Sequence, residues 1–321
     1  MLNFIYGLVI LLTLLYVSKY LKVFERNNDI EYHERSKFEK LKNHLLDNSS
    51  ISQNKKPIMW IYLDFEQNAR KYIDFATKNS KDLNMPYMLL CIKTIIDNCG
   101  DSFNVVIIDE NSFSNLIPGW NIDLSKLSDP LKIKYVNLAK LQILKNFGGL
   151  FVPPSFICKN NLYDIYYENC IYNYKVLTFE FLNTSPAIKQ KFIPKIEFIG
   201  CKKNNTNLDI IIQEYEYCLA KDYTEDSIFQ EKLSQILIDN NNIVNVEDGT
   251  LISTKDKNNN PILIEDLMEN KKINLSNEHI GIYIPALMLK KRNKYNWFLY
   301  LCPIEVLSSN TFIGRYLSHS I

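Results

Sequence analysis

Net charge of one sign is missing from this chain. Its 321 residues carry 37 Lys and Arg against 36 Asp and Glu, a formal charge of +1 at pH 7. Such a balance generates no long-range field for a polyanion, and no basic stripe runs along the sequence, so nucleic acid is not an expected partner. Metal-ligand spacing is lacking too. The seven cysteines (91, 99, 158, 170, 201, 218 and 302) are scattered without a Cys-x-x-Cys pair, and the four histidines (33, 44, 279 and 319) stand apart from them. An odd, irregular set argues against a disulfide framework and a structural zinc site, and fits free thiols in a reducing compartment. Glycine is scarce, nine in all. Two of them together therefore mark a backbone that other residues do not adopt.

What is present is ordinary globular material with one apolar run at its start. The apolar share of 46% and the length allow one large domain or two small ones. From Leu2 to Ser18 there is no charged residue. A helix of that length rises roughly 25 Å, and Lys19 and Lys22 can snorkel beyond it. The run predicts a transmembrane anchor over residues 1–24. Lys19, Lys22, Arg26, Arg35 and Lys37 follow it, so the positive-inside rule places the larger part in the cytoplasm, with an ER or Golgi lumen as the alternative. Residues 25–56 are polar, with Phe38, Leu41 and Leu45 at helical spacing, and read as a helical stalk and linker. Residues 57–321 form the remaining domain.

That domain opens on "PIMWIYLDF", an apolar run suited to a buried strand. A helix, "MPYMLLCIKTIIDNC", and a second strand, "FNVVIID", follow. Strand, helix and strand in this order predict a parallel sheet of the α/β class. Ligands of such sheets lie beyond the carboxyl ends of the strands. The acids there are Asp64 and Asp109, with Glu66 and Glu110 beside them, and the first two are the candidate catalytic residues. Next comes "PLKIKYVNLAKLQILKNF", a helix with Ser128 or Asp129 as its cap, Pro130 in its first turn and Gly148 as its left-handed terminus. Asn137, Lys140 and Leu144 share one face; Val136, Ala139, Ile143 and Phe147 form an adjacent apolar stripe. After Gly148 and Gly149 come a short strand, "GLFV", and then Pro153, Pro154 and Ser155.

From Pro57 to about Asn161 this order of motifs resembles the sugar transferases of the capsular polysaccharide synthesis type. These are related to DXD-containing glycosyltransferases with a nucleotide-sugar-binding GT-A fold. "KPIMWIY" matches their opening strand, "CGDSFNVVIIDENS" the following strand, and "NLAKLQILKNFGGLFVPPS" their helix, Gly-Gly turn and site strand. A looser match covers "IEFIGCKKNNTNLDIIIQEYEYCL", while "YNWFLYLCPIEVLSSNTF" reads only as helix and strand packing. The resemblance implies a mixed sheet flanked by helices. It also implies sugar transfer from a nucleotide-sugar donor to a glycan or polysaccharide acceptor. The implied donor-binding positions are Trp60, Asn137, Lys140, Gly148, Gly149 and Ser155.

In the family, an Asp-x-x-Arg pair stands on the helix and an acidic pair, Asp-x-Asp or Asp-x-Thr, follows the strand. Here the helix pair becomes Asn137 and Lys140, and the acidic pair becomes Pro153 and Ser155. The carboxylates that would hold manganese or magnesium are replaced, so no metal ligand is assigned. Two readings follow. One is an active transferase that neutralises the leaving diphosphate with a cation such as Lys140, Lys159 or the Lys290, Lys291, Arg292 cluster, or with a metal held elsewhere by Asp64, Asp109 or Asp164. Phe156 is then a candidate to stack on a base. The other is a catalytically inactive relative, acting as a binding or structural protein.

Overall fold

The computed structural model describes residues 56–63, 85–183, 191–221 and 226–321. The first strand, β1 (Ile58–Tyr62), is followed by helix α1 (Tyr87–Cys99), strand β2 (Asn104–Ile108) and the short helix α2 (Phe113–Leu116). Helix α3 (Leu131–Phe147) leads into β3 (Gly149–Phe151) and β4 (Phe156–Cys158). Then come α4 (Tyr163–Tyr166), β5 (Val176–Leu182), β6 (Phe192–Cys201), α5 (Thr206–Ala220), α6 (Asp226–Asp239) and β7 (Val244–Glu247). The last elements are α7 (Ile264–Met268), β8 (Gly281–Tyr283), α8 (Ala286–Lys291), α9 (Pro303–Ser308) and α10 (Phe312–Ser320).

Six strands pair in the order β2-β1-β3-β6-β5-β7, and β4 pairs with β8 in a separate two-stranded sheet. β1 runs parallel to β2 and β3, β6 runs antiparallel to β3 and β5, and β5 is parallel to β7. One reversed strand therefore sits inside an otherwise parallel sheet. Helices flank it, which is the mixed α/β architecture expected of a GT-A-like domain.

Alternation along β1 explains the layers. Met59 and Ile61 join Cys91, Ile92 and Ile95 of α1 in the larger buried core, with Leu150, Phe179 and Phe198 from neighbouring strands. Trp60 points to the opposite face, against Phe147 of α3 and Phe151 of β3. Beyond α3, Tyr215 of α5 donates to the Lys134 carbonyl at 2.8 Å and packs edge-on to Phe229 of α6.

The junction from α3 to β3 is the tightest part of the sheet. Gly148 has φ 69° and ψ −167°, not the left-handed helical value expected, and Gly149 has φ 105°. Gly148 thus occupies a region that is essentially reserved for glycine. A Cβ on Gly149 would run into the Ile58 carbonyl, and one on Gly148 into the backbone of Lys203. The indole of Trp60 donates to the Gly148 carbonyl at 2.8 Å and holds the turn closed.

Three expectations need correction. Neither Ser128 nor Asp129 caps α3 through its side chain; Pro130 is the N-cap, and the Ser128 and Pro130 carbonyls accept from the Lys132 and Lys134 amides. The segment 295–312 contains no strand: it forms a 3-10 turn, Asn296–Tyr300, and α9 before α10 begins at Phe312. The transmembrane helix is the third. No helix among the described residues is long and apolar enough to cross a membrane, and residues 1–24 lie outside them. The longest described helix, α3, has 17 residues, and Lys132, Lys134, Lys140 and Lys145 interrupt its apolar surface. The single-pass architecture, the membrane as partner and the membrane localisation are withdrawn with that span. The expected stalk, up to residue 55, lies outside the described residues as well.

The two glycine environments generate a direct test. Gly149→Ala should lower unfolding free energy by about 2 kcal/mol or more, because a forbidden φ and a backbone collision act together. Gly119 also has positive φ, but a Cβ there meets nothing within 4 Å. Gly119→Ala should lose only about 1 kcal/mol. Urea denaturation of the two variants beside the parent chain checks the difference.

Candidate functional site

The carboxyl ends of β1, β2, β3, β5 and β7 lie on one edge of the sheet, and acids there are the natural ligand-binding groups. Most of them are already engaged. The Asp109 carboxylate accepts from the Ser112 amide at 2.9 Å, the Ser112 hydroxyl at 2.6 Å and the Asn111 amide at 3.2 Å. It caps its own turn after β2 and is only 6% exposed. Glu110 pairs with Lys132 at 3.0 Å. At the far end of the sheet Lys255 bridges Glu180 at 2.6 Å and Asp248 at 2.7 Å. Glu247 accepts from Asn169 and Asn245, both at 2.8 Å. Asp64 and Glu66 lie outside the described residues.

Two side chains on one face of α3 are left in a different condition. Lys140 projects from α3 over the rings of Tyr62 and Phe151, 5.4 and 6.0 Å from their centroids. It is half-buried, and among the described residues it has neither an ion pair nor a hydrogen bond. Burial pulls its pKa below the usual lysine value, while the negative charge of Glu197 works the other way. Asn137, one turn earlier on the same face, is buried, and its amide also has no hydrogen-bond partner among the described residues.

Glu197 reaches this edge because of two backbone features. Phe151 pairs with Ile199 across the antiparallel β3–β6 ladder, so continuing that register sets Glu197 alongside Pro153. The β5–β6 register also shifts between Thr178 and Glu180, which makes the stretch of β6 carrying Lys195 and Glu197 bulge from regular pairing. Bulges re-aim side chains at sheet ends. The Tyr283 hydroxyl donates to Glu197 in a short hydrogen bond, with the Tyr283 ring edge-on to Phe181. Burial, then the charge of Glu197, pushes the Tyr283 pKa well up, so the phenol remains a proton donor. The Tyr87 hydroxyl is fully buried and has no hydrogen-bond partner among the described residues, and its electrostatic influence reaches Tyr283.

The other predicted donor-binding residues have structural tasks. Trp60 is 1% exposed and locks the Gly148 carbonyl; Gly148 and Gly149 shape the turn. Ser155 is buried, and its hydroxyl donates to the Ile284 carbonyl at 2.7 Å. Phe156 packs edge-on to Phe198 within the core, as an ordinary core aromatic does. Lys159 lies 3.5 Å from His279, Arg292 pairs with Glu265 at 3.5 Å, and Asp164 is exposed on α4. Thus Lys140 lies within electrostatic reach of Glu197, which accepts from Tyr283, and sequence reasoning selected neither Glu197 nor Tyr283. The available signal was Lys195 and Glu197, two charged residues two apart in the otherwise non-polar strand "FIPKIEFIGC".

The divalent cation implied by the resemblance does not fit the residues present. Pro153 offers only a carbonyl, which already accepts from the Phe156 amide at 3.1 Å, and the Ser155 hydroxyl is directed at Ile284. Among the described residues no three His, Cys, Asp or Glu side chains come together as a metal site. A hard cation needs several oxygen ligands, preferably carboxylates.

No family model and no curated protein matches the chain. Among solved structures it is similar to a PaToxG glycosyltransferase, with a TM-score of 0.30 and 17% identity over 65% of this chain and 79% of that one. A second is the 4-diphosphocytidyl-2C-methyl-D-erythritol synthase of Anaerococcus prevotii DSM 20548, with a TM-score of 0.31 and 12% identity over 65% and 93% of the two chains. A third, described as a transferase mutant, has a TM-score of 0.28 and 13% identity over 56% and 84%. At these low values the likenesses assign neither the capsular polysaccharide family nor its acidic motif. The mixed sheet flanked by helices stands on its own strand order.

Proposed function

We propose that this chain binds a nucleotide sugar at the carboxyl edge of β1 and β3 and transfers the sugar to a glycan or polysaccharide acceptor without a divalent metal. The observation that carries the reading is Lys140, a half-buried cation without an ion pair or hydrogen bond among the described residues. A desolvated charge is costly unless it meets a counter-charge, and the two flanking rings offset only part of that cost. A diphosphate supplies the missing anion. Lysine serves phosphate as a point charge, and a fixed cation stabilises the negative charge that grows on a departing nucleotide diphosphate. The Asn137 amide offers hydrogen bonds to the same ligand. Glu197, which accepts from the Tyr283 hydroxyl near Lys140, is the carboxylate placed to take the proton of an acceptor hydroxyl.

A second reading has its own support. Asp109 and Ser155, two of the expected site residues, are occupied by structural hydrogen bonds. That pattern suits a domain that kept the scaffold and binds its ligand without turnover.

Calorimetric titration of the full chain with UDP-glucose and GDP-mannose, in manganese and in EDTA, tests the proposal. At least one donor should bind with the same affinity in both buffers. Lys140→Met should weaken it about 10- to 100-fold, the loss of a hydrogen bond to a charged group. Failure of every donor to bind, or binding only with manganese, would sink the metal-free site. Release of free nucleotide diphosphate during incubation with an acceptor glycan separates transfer from binding alone.

The lowered lysine pKa adds a pH test. The ammonium is the binding form, and burial moves its deprotonation to lower pH. Donor affinity should therefore fall as pH rises through that lowered value. The fall should begin below the 10.5 of an ordinary lysine. Affinity of the Lys140→Met variant should show no such step over the same range.

A further inference from the structure

Seven cysteines are free in this chain, but two of them are not alone. Cys99 closes α1 and Cys158 closes β4, and their sulfurs stand 3.7 Å apart in a fully buried setting. The elements that carry them are strapped together on either side of the pair. The Cys158 amide donates to the Thr94 hydroxyl at 2.9 Å, and the Asn98 side chain donates to the Cys158 carbonyl at 3.2 Å. The Cys158 thiol donates to the Asn160 carbonyl at 3.2 Å. Asp101, two residues after Cys99, and Lys159 and Asn160, directly after Cys158, are exposed, so each buried cysteine adjoins a solvent-facing stretch of chain.

We propose that Cys99 and Cys158 form an oxidisable dithiol that a small peroxide converts into an intrachain disulfide fixing β4 to α1. A disulfide needs a sulfur separation of about 2.0 Å and nearby Cβ atoms. Two sulfurs already in contact require side-chain rotation and little backbone movement. Cys99 is the attacking sulfur, because the Cys158 thiol proton is held by the Asn160 carbonyl. The Cys99 thiolate attacks a peroxide oxygen, the O–O bond breaks, and one water leaves after proton uptake, producing a sulfenic acid. The Cys158 sulfur then attacks Cys99, the S–O bond breaks, the S–S bond forms, and the Cys158 proton leaves with the second water. Two thiols lose two electrons in total, and the peroxide accepts them. β4 starts directly after Ser155, so the crosslink would also stiffen the strand that leaves the candidate site.

The test uses the full reduced chain, treated with hydrogen peroxide and digested without reductant. Peptide mapping should find one major linked pair, Cys99 with Cys158, and titratable thiols in denaturant should fall by two from seven. Dithiothreitol should reverse both changes, and the oxidised chain should melt at a higher temperature because a long loop is closed. Cys91→Ser should leave the linkage unchanged, whereas Cys99→Ser should abolish it. The proposal is overturned if a natively folded, peroxide-treated chain has no Cys99–Cys158 linkage, whether its thiols stay reduced, pair elsewhere or proceed to sulfinic acid. Mapping of the parent chain decides the matter even where a serine variant does not fold.

Discussion

The indole of Trp60 and the carbonyl of Gly148 form the hydrogen bond on which the sheet edge depends. It ties the middle of β1 to the end of α3 at the one place where the chain reverses from helix to strand with no room for a side chain. Because a Cβ on Gly149 would strike the Ile58 carbonyl, β3 can lie against β1 only with glycine there. That close approach sets where Phe151 ends, and so where Lys140 meets its ring. A sub-ångström change at the turn would be transmitted to the strand edge because packed interiors do not deform freely.

The strand ends are unusual in how thoroughly their acids are engaged. Asp109, Glu180, Asp248 and Glu247 each hold structure together through short hydrogen bonds or ion pairs. Asp109 is buried and fully hydrogen-bonded, while Glu180, Glu247 and Asp248 are half-buried or exposed and engaged at the surface. Lys140 lacks such pairing, and Asn137 beside it is equally unpartnered among the described residues. Among the described residues, this edge presents an unpaired cation and an unpartnered amide side by side. Glu197 reaches the same edge from the adjacent antiparallel strand, alongside Pro153.

Much of the fold was legible because it depends on local chemistry. The β-branched run in β2, the apolar stripe of α3 and the Gly-Gly turn follow from periodicity and from what glycine permits. The side-chain cap of α3 was misjudged because Ser128 and Asp129 have the right chemistry, while the backbone carbonyls of Ser128 and Pro130 occupy the first amides instead. Asp109 was placed correctly at the end of β2. Its carboxylate, however, closes on Ser112, a choice between solvent, ligand and its own turn that spacing does not resolve.

The sequence by itself determined the α/β order and the glycine turn, since each is written in neighbouring residues. Only the tertiary structure decided which side chains share the site. Glu197 and Tyr283 lie 86 residues apart and meet because β6 bulges and β8 pairs with β4, and Cys99 meets Cys158 across 59 residues because α1 packs on β4. Register and packing between distant segments fix those encounters, and no local propensity encodes them.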